Sequence, residues 1–305
     1  MFAESLVAVL GLLALQESVP PPIIGAPPTL PVARAILPSV PTPQKKDRKS
    51  LGIEITAPSG VVMDVTSGAF LYKKDADRPH AIASLSKLVT AMVVLDEQPN
   101  MEDVIEFKAE DEPSGFKTTF LRGEKLTKQE LLQALLIGSD NESANVFARV
   151  HGGREAFVAK MNRKAVEIGM RQAFFADPSG LDPQNRATAA DVALALRAAL
   201  AYPLIRETTV ERTVVITGGV SGRPYTIKST NLLLGSALNT GGYQIHVGKT
   251  GSLDEAGFCL AQATKDPQGH EVITVVLGSE THFSRFDDVK ALTYWALQAY
   301  EWPLP

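Results

Sequence analysis

The chain has 305 residues, 45% of them hydrophobic, and a formal net charge of −4. That is length enough for a sizeable buried core, and the charge offers no basic field for a phosphate backbone, which excludes nucleic acid as a partner. A single cysteine, Cys259, excludes an internal disulfide and any multi-cysteine metal site. Cys259 reads as a small buried residue of a strand.

The run SLVAVLGLLAL, Ser5 to Leu15, is apolar and of signal-peptide length but short for a bilayer span. Residues 1–16 are therefore expected to be a signal peptide or short hydrophobic leader, which places the protein in the periplasm or otherwise outside the cytoplasm. Membrane contact is expected at most through this segment. Residues 17–50 hold nearly half of the 20 prolines and end in the basic QKKDRKS, the composition of an extended linker.

The folded domain is expected over 51–305. GVVMDVTSGAFLYKKDAD reads as two strands joined at TSG. An apolar helix follows from about Ser84 to Leu95. LTKQELLQALLIG opens with a capping box, Thr127 to Glu130, and places Leu131, Leu132, Leu135 and Leu136 on one face. REAFVAKMNRKAVEIGM repeats helical spacing and stops at Gly169. A second capping box, Thr188 to Asp191, starts a helix running to about Leu200. After Tyr202 the pattern turns to strands, QIHVGKTG, GFCLAQATK and EVITVVLG, an antiparallel meander whose apolar run Val272 to Leu277 suits a strand covered on both faces. The last helix begins with Ser284 as N-cap and carries Phe286, Val289, Leu292 and Ala296 at helical spacing. The expected fold is α+β: an antiparallel sheet from both ends of the chain, flanked by helices, with an all-helical subdomain of about residues 96–200 inserted.

Three short stretches carry chemistry. Ser84 and Lys87 in SLSK lie one helical turn apart, so the Lys87 amine can reach the Ser84 hydroxyl and act as its base. An ordinary lysine with pKa about 10.4 is too seldom neutral for that at pH 7; burial and a second cation, Lys249, favour the neutral form. The helix N-terminus favours negative charge developing at Ser84. Ser139 and Asn141 stand in GSDN, and Lys249, Thr250 and Gly251 form KTG. Each stretch alone has a plainer reading: a capping serine with a solvated lysine, or a helix N-cap turn. DPSG at Asp177 to Gly180 reads as a structural turn. GGYQIHVGKTG misses a phosphate loop because Tyr243 stands where glycine is required. The five histidines have no metal-ligand spacing, and neither metal nor cofactor is expected.

Together S-x-x-K, S-D-N and K-T-G match the motif set of penicillin-binding proteins and class A β-lactamases. With FFADPSGLD, STNLL and GKTGSLDEAGFCL, the stretch from about Ile53 to Tyr300 resembles the low-molecular-mass penicillin-binding proteins, the D-alanyl-D-alanine carboxypeptidases and endopeptidases of the cell wall. The resemblance implies a penicillin-binding, β-lactamase-like transpeptidase fold, a peptidoglycan peptide substrate and β-lactams as covalent inhibitors. It implies Ser84 as nucleophile, Lys87 as base and Ser139 as proton relay. Asn141 is then the ligand of the substrate's peptide carbonyl, Lys249 and Thr250 bind its carboxylate, and Arg285 adds a second grip. Gly251 lets the strand edge approach the peptide, and the N–H groups of Ser84 and Ser252 form the oxyanion hole.

Two other readings differ in testable ways. A class A β-lactamase needs a deacylating glutamate in an E-x-x-L-N loop, and Glu142, Glu155 and Glu167 lack that context. A non-catalytic wall-binding module has no need to keep Ser84, Lys87, Ser139, Asn141 and Lys249 together.

Overall fold

Six consecutive buried residues, Ser59–Asp64, form strand β1, and a turn through Gly68 at φ +72° returns the chain as β2, Phe70–Lys74. In the computed structural model, which describes residues 40–49, 52–113 and 118–303, these two strands join three from the C-terminal third of the chain. They are β3 (Gln244–Leu253), β4 (Gly257–Lys265) and β5 (Glu271–Ser279), and the antiparallel order is β3-β4-β5-β1-β2. The leader and residues 17–39 of the expected linker lie outside the described residues. Within its last part, Gln44–Lys45 pairs antiparallel with Tyr300–Glu301.

The sheet divides the core because strand side chains alternate between faces. Val62 of β1 and Val272 and Val276 of β5 pack toward Phe286, Val289, Leu292 and Ala296 of the last helix, α7 (Ser284–Ala299). Val61, Met63, Ile273, Val275 and Leu277 face the other way, into the larger cluster with Leu88 and Met92 of α1 (Lys87–Asp96). Even the polar member keeps the alternation: Thr274 meets Thr293 of α7 at 2.8 Å. Each fully buried aliphatic side chain here contributes about 1.5–3 kcal/mol. The covered central strand and the sheet drawn from both chain ends stand as expected.

The helices between follow their local signals. α2 (Lys128–Ile137) is capped by the Thr127–Glu130 box, α3 (Asn141–Val150) by the Asp140 side chain on the Ser143 N–H, and α5 (Ala189–Ala199) by the Thr188–Asp191 box. α4 (Arg154–Glu167) ends before Gly169, whose φ is +88°. α6 (Pro203–Thr209) is an addition, starting at a proline in the N-terminal turn where a missing N–H costs nothing. A hairpin, Thr213–Thr217 with Pro224–Lys228, follows it where no strand was expected. The buried Glu124 carboxylate pins its tip by accepting from Val220 N, Ser221 Oγ and Tyr225 Oη; against the upward push of burial, the Ser221 hydroxyl and the N–H groups of Val220, Ser221 and Lys125 hold the carboxyl down at about 2.

Two expected details change. The helix at Ser84 begins as a tight 3-10 turn, Ala83–Ser86, and becomes α-helical only at Lys87. Ser284 is not the N-cap of α7: Phe283 takes that position without a side-chain cap, and the Ser284 hydroxyl instead closes a loop with the N–H and carbonyl of Thr281.

Candidate active site

Ser84 owes its position to strain on both sides. Ala83 has φ +46°, in the left-handed region that a non-glycine residue enters at a cost of about 1–3 kcal/mol. Two glycine backbones press the turn into that shape. A Cβ on Gly180, φ +85°, would stand 2.0 Å from the Ala83 carbonyl oxygen, and one on Gly251 would stand 2.8 Å from that of Ile82. Gly180→Ala is therefore expected to cost about 3 kcal/mol or more in chemical denaturation. Acylation at Ser84 is expected to fall with it, and an unchanged denaturation midpoint would contradict this packing.

The loop bearing Gly180 is built around the buried Asp177 carboxylate, which accepts from the N–H groups of Ser179, Gly180, Leu181 and Asp182. Asn185 ties this loop to the 3-10 turn by donating to Ser86 Oγ at 3.0 Å, and Thr90 of α1 donates to Pro178 O at 2.6 Å. The stretch read as a plain structural turn is thus a clamp on the first turns of α1.

At the centre is Lys87, fully buried. Its amine is 2.9 Å from Ser84 Oγ, 2.7 Å from Asn141 Oδ1 and 2.5 Å from the Ser179 carbonyl oxygen. Burial pulls this amine down to about 7, against the upward pull of Asp140 and Asp177. Desolvation is thus the expected cause, whereas the expected contribution of the Lys249 cation does not appear: the charges acting on this amine are carboxylates that raise it.

Opposite stands Lys249 of β3, also buried, donating to Ser139 Oγ at 2.7 Å and to Thr250 O at 3.0 Å. Burial and the cations of Lys87 and Arg285 push it well below the ordinary lysine range. Ser139 lies on the turn between α2 and α3 at φ +60°, a second strained non-glycine residue beside the centre. Thr250 donates to Thr230 Oγ1 at 2.6 Å. Arg285 of α7 donates through Nη1 to Gly251 O at 3.1 Å, an uncharged acceptor that leaves the cation in the first turn without an anion.

The nine expected residues converge. Ser84, Ser139, Thr250, Gly251, Ser252 and Arg285 line one cleft of about 260 Å3, and Lys87, Asn141 and Lys249 stand directly behind its walls. β3 is the edge strand of the sheet, so its outer side has no strand partner among the described residues. Thr230, Leu232 and His282 complete the lining, and Ser179 contributes its carbonyl to Lys87; none of the four was singled out from the sequence. STNLL and DPSG bracket three of them, but their part depends on contacts between segments far apart in the chain. A larger cavity of about 880 Å3 opens beyond the Asp177 loop. It lacks such a pair: its Arg149 is locked to Asp111 and its Ser179 hydroxyl to Asp177.

Comparison with known proteins gives the family. The chain is 34% identical to the D-alanyl-D-alanine endopeptidase of Pseudomonas aeruginosa, over 88% of this chain and 84% of that one. It is 30% identical to that of Escherichia coli, over 83% and 81%. The crystal structure of the Streptomyces K15 DD-transpeptidase superposes with a TM-score of 0.75 at 25% identity, covering 82% of this chain and all of that one. Penicillin-binding protein D2 from Listeria monocytogenes, solved in its cefotaxime-bound form, gives 0.71 at 30% identity, covering 81% and 100%. The family model described as D-alanyl-D-alanine carboxypeptidase matches residues 43–281, and the chain belongs to that family.

Proposed function

We propose that the protein is a serine D-alanyl-D-alanine peptidase of peptidoglycan stem peptides, working through an acyl-enzyme on Ser84. The observation that carries this reading is the set of three contacts on Lys87. A neutral amine has two hydrogens and one lone pair. Given to Asn141 Oδ1 and the Ser179 carbonyl, the two hydrogens leave the lone pair facing Ser84 Oγ, 2.9 Å away. Lys87 then takes the hydroxyl proton as Ser84 attacks the carbonyl between two D-alanine residues. The N–H groups of Ser84 and Ser252 receive the developing oxyanion.

The remaining residues divide substrate binding from proton return. Asn141 gives its carbonyl to Lys87, which leaves its amide nitrogen to donate to the substrate's peptide carbonyl. Ser139, fed by Lys249, returns a proton to the leaving amine. Lys249, Thr250 and Arg285 receive the carboxylate; because burial and neighbouring cations depress Lys249, an arriving anion draws a proton onto it. Water releases the acyl group, and β-lactams acylate the same serine.

The substrate lies in the wall, so the protein acts outside the cytoplasm. The leader expected at residues 1–16 supplies the export signal. Among the described residues no helix is long and apolar enough to cross a membrane.

The likeness to two endopeptidases supports cleavage of crosslinked peptides. Incubation of the protein with crosslinked and uncrosslinked wall peptides is expected to yield monomers from crosslinked dimers by mass. Free D-alanine released only from uncrosslinked peptides reassigns it as a carboxypeptidase.

A further inference from the structure

We propose that His282 is the positioning residue for the carboxylate grip of the cleft: by accepting at Nδ1 it sets the orientation in which Arg285 meets the substrate's carboxylate. The inference rests on the reading of the cleft given above and adds to it a residue that none of the three motifs contains.

Arg285 is an unusual cation. It is 3% exposed, yet both acceptors of its guanidinium are uncharged: Gly251 O on β3 at 3.1 Å from Nη1, and His282 Nδ1 at 3.1 Å from Nη2. Its Nε has no hydrogen-bond partner among the described residues. A guanidinium has five donors in one plane, so two acceptors on different elements fix its rotation and leave donors unfilled. A buried cation without a charged partner is costly, and the site that holds it opens on Thr230, Thr250 and Ser252. The anion this cation lacks is the one a substrate carries in.

The imidazole is an exposed group at the cleft, framed by three aromatic rings. It meets Phe258, Phe283 and Phe286 edge-on, with centroids 5.9, 5.0 and 5.7 Å away. Phe258 and Phe286 also lie 5.6 and 4.8 Å from the guanidinium carbon, so one aromatic frame seats both groups. Accepting at Nδ1 requires a lone pair there, hence the tautomer protonated at Nε2. Partial burial and the Arg285 cation on α7 keep the ring below its ordinary value of 6.5, which favours this neutral form. On the facing strands, Cys259 of β4 is a thiol pushed up to about 11 by burial, and Lys249 of β3 is a depressed amine. Neither supplies a carboxylate that would draw a proton onto the ring.

The test compares acylation of the wild type, His282→Ala and His282→Asn by benzylpenicillin and by its methyl ester, which lacks the carboxylate. Asparagine is chosen because its Oδ1 can stand where Nδ1 stood. For His282→Ala the benzylpenicillin concentration giving half-maximal acylation rate is expected to rise about tenfold, the loss of one charge-assisted hydrogen bond, with the maximal rate held within about twofold. The ester is expected to react alike with all three proteins, and His282→Asn to restore most of the wild-type constant. The proposal fails if His282→Ala leaves the constant unchanged, if the ester is equally affected, or if asparagine is no better than alanine, since the ring then serves packing alone. A wild type acylated by neither compound removes the Ser84 reading, and this inference with it.

Discussion

Ser84→Ala is expected to lower covalent labelling by a fluorescent penicillin, and peptide cleavage with it, by at least about a thousandfold. The fold survives the change, because the Ser84 hydroxyl sits at the cleft and its hydrogen bond is to Lys87. Losing one such bond costs about 1 kcal/mol, so the thermal midpoint moves by no more than a few degrees. The experiment discriminates sharply, because the cleft contains a second serine paired with an amine. Ser139 stands 2.7 Å from Lys249 much as Ser84 stands 2.9 Å from Lys87. Two differences favour Ser84 as the nucleophile. Its amine has two acceptors, Asn141 Oδ1 and the Ser179 carbonyl, that take both hydrogens and leave a lone pair for the hydroxyl, and its own N–H belongs to the turn that opens α1, where developing negative charge is stabilised. Ser139→Ala is accordingly expected to slow labelling without abolishing it. Full labelling of Ser84→Ala, lost instead in Ser139→Ala, would exchange the two roles.

What the sequence disclosed about this site was local, and what it hid was tertiary. The Thr127–Glu130 and Thr188–Asp191 boxes are legible because cap and partner lie within four residues, and both form. The alternation in β1 and β5 is legible because both faces of the sheet are covered. By contrast, Ser284 satisfies a loop rather than a helix terminus, since Thr281 offers it both partners at closer range. The 3-10 start of α1 follows from the Gly180 backbone pressing on Ala83, residues nearly a hundred positions apart that no local rule connects. The same holds for Ser179 as a ligand of Lys87, for Thr230 behind Thr250, and for His282 beside Arg285. Motif spacing supplied the groups that differ in type, nucleophile, base and carboxylate cation. The groups that orient them, a carbonyl, a hydroxyl and an imidazole, are chemically unremarkable in sequence and acquire meaning only by contact.

The second large effect is expected at Lys87. Lys87→Met keeps length and removes the base, and acylation is expected to fall about 10^2 to 10^4-fold. Two pH dependences then separate a base from a mere packing group. In the wild type, acylation below pH about 7 is expected to rise tenfold per unit as Lys87 loses its proton, then level off; the residual activity of Lys87→Met lacks that limb. Stability follows the same titration with a definite sign. The folded-state amine is depressed from 10.5 to about 7, so between those values the unfolded chain binds a proton that the folded protein does not, and stability rises with pH. Below pH 7 the folded protein carries the full penalty of a buried ammonium, about 5 kcal/mol. Lys87→Met removes that penalty but leaves Asn141 Oδ1 and the Ser179 carbonyl without their donor, at about 1–3 kcal/mol each. The two changes nearly cancel in total stability, so the slope is the informative quantity. Between pH 7 and pH 9 the wild type is expected to gain about 2 kcal/mol more than the variant in denaturant unfolding. Equal slopes, or an acid limb persisting in Lys87→Met, would transfer the role of base to Lys249, the other buried amine at the cleft.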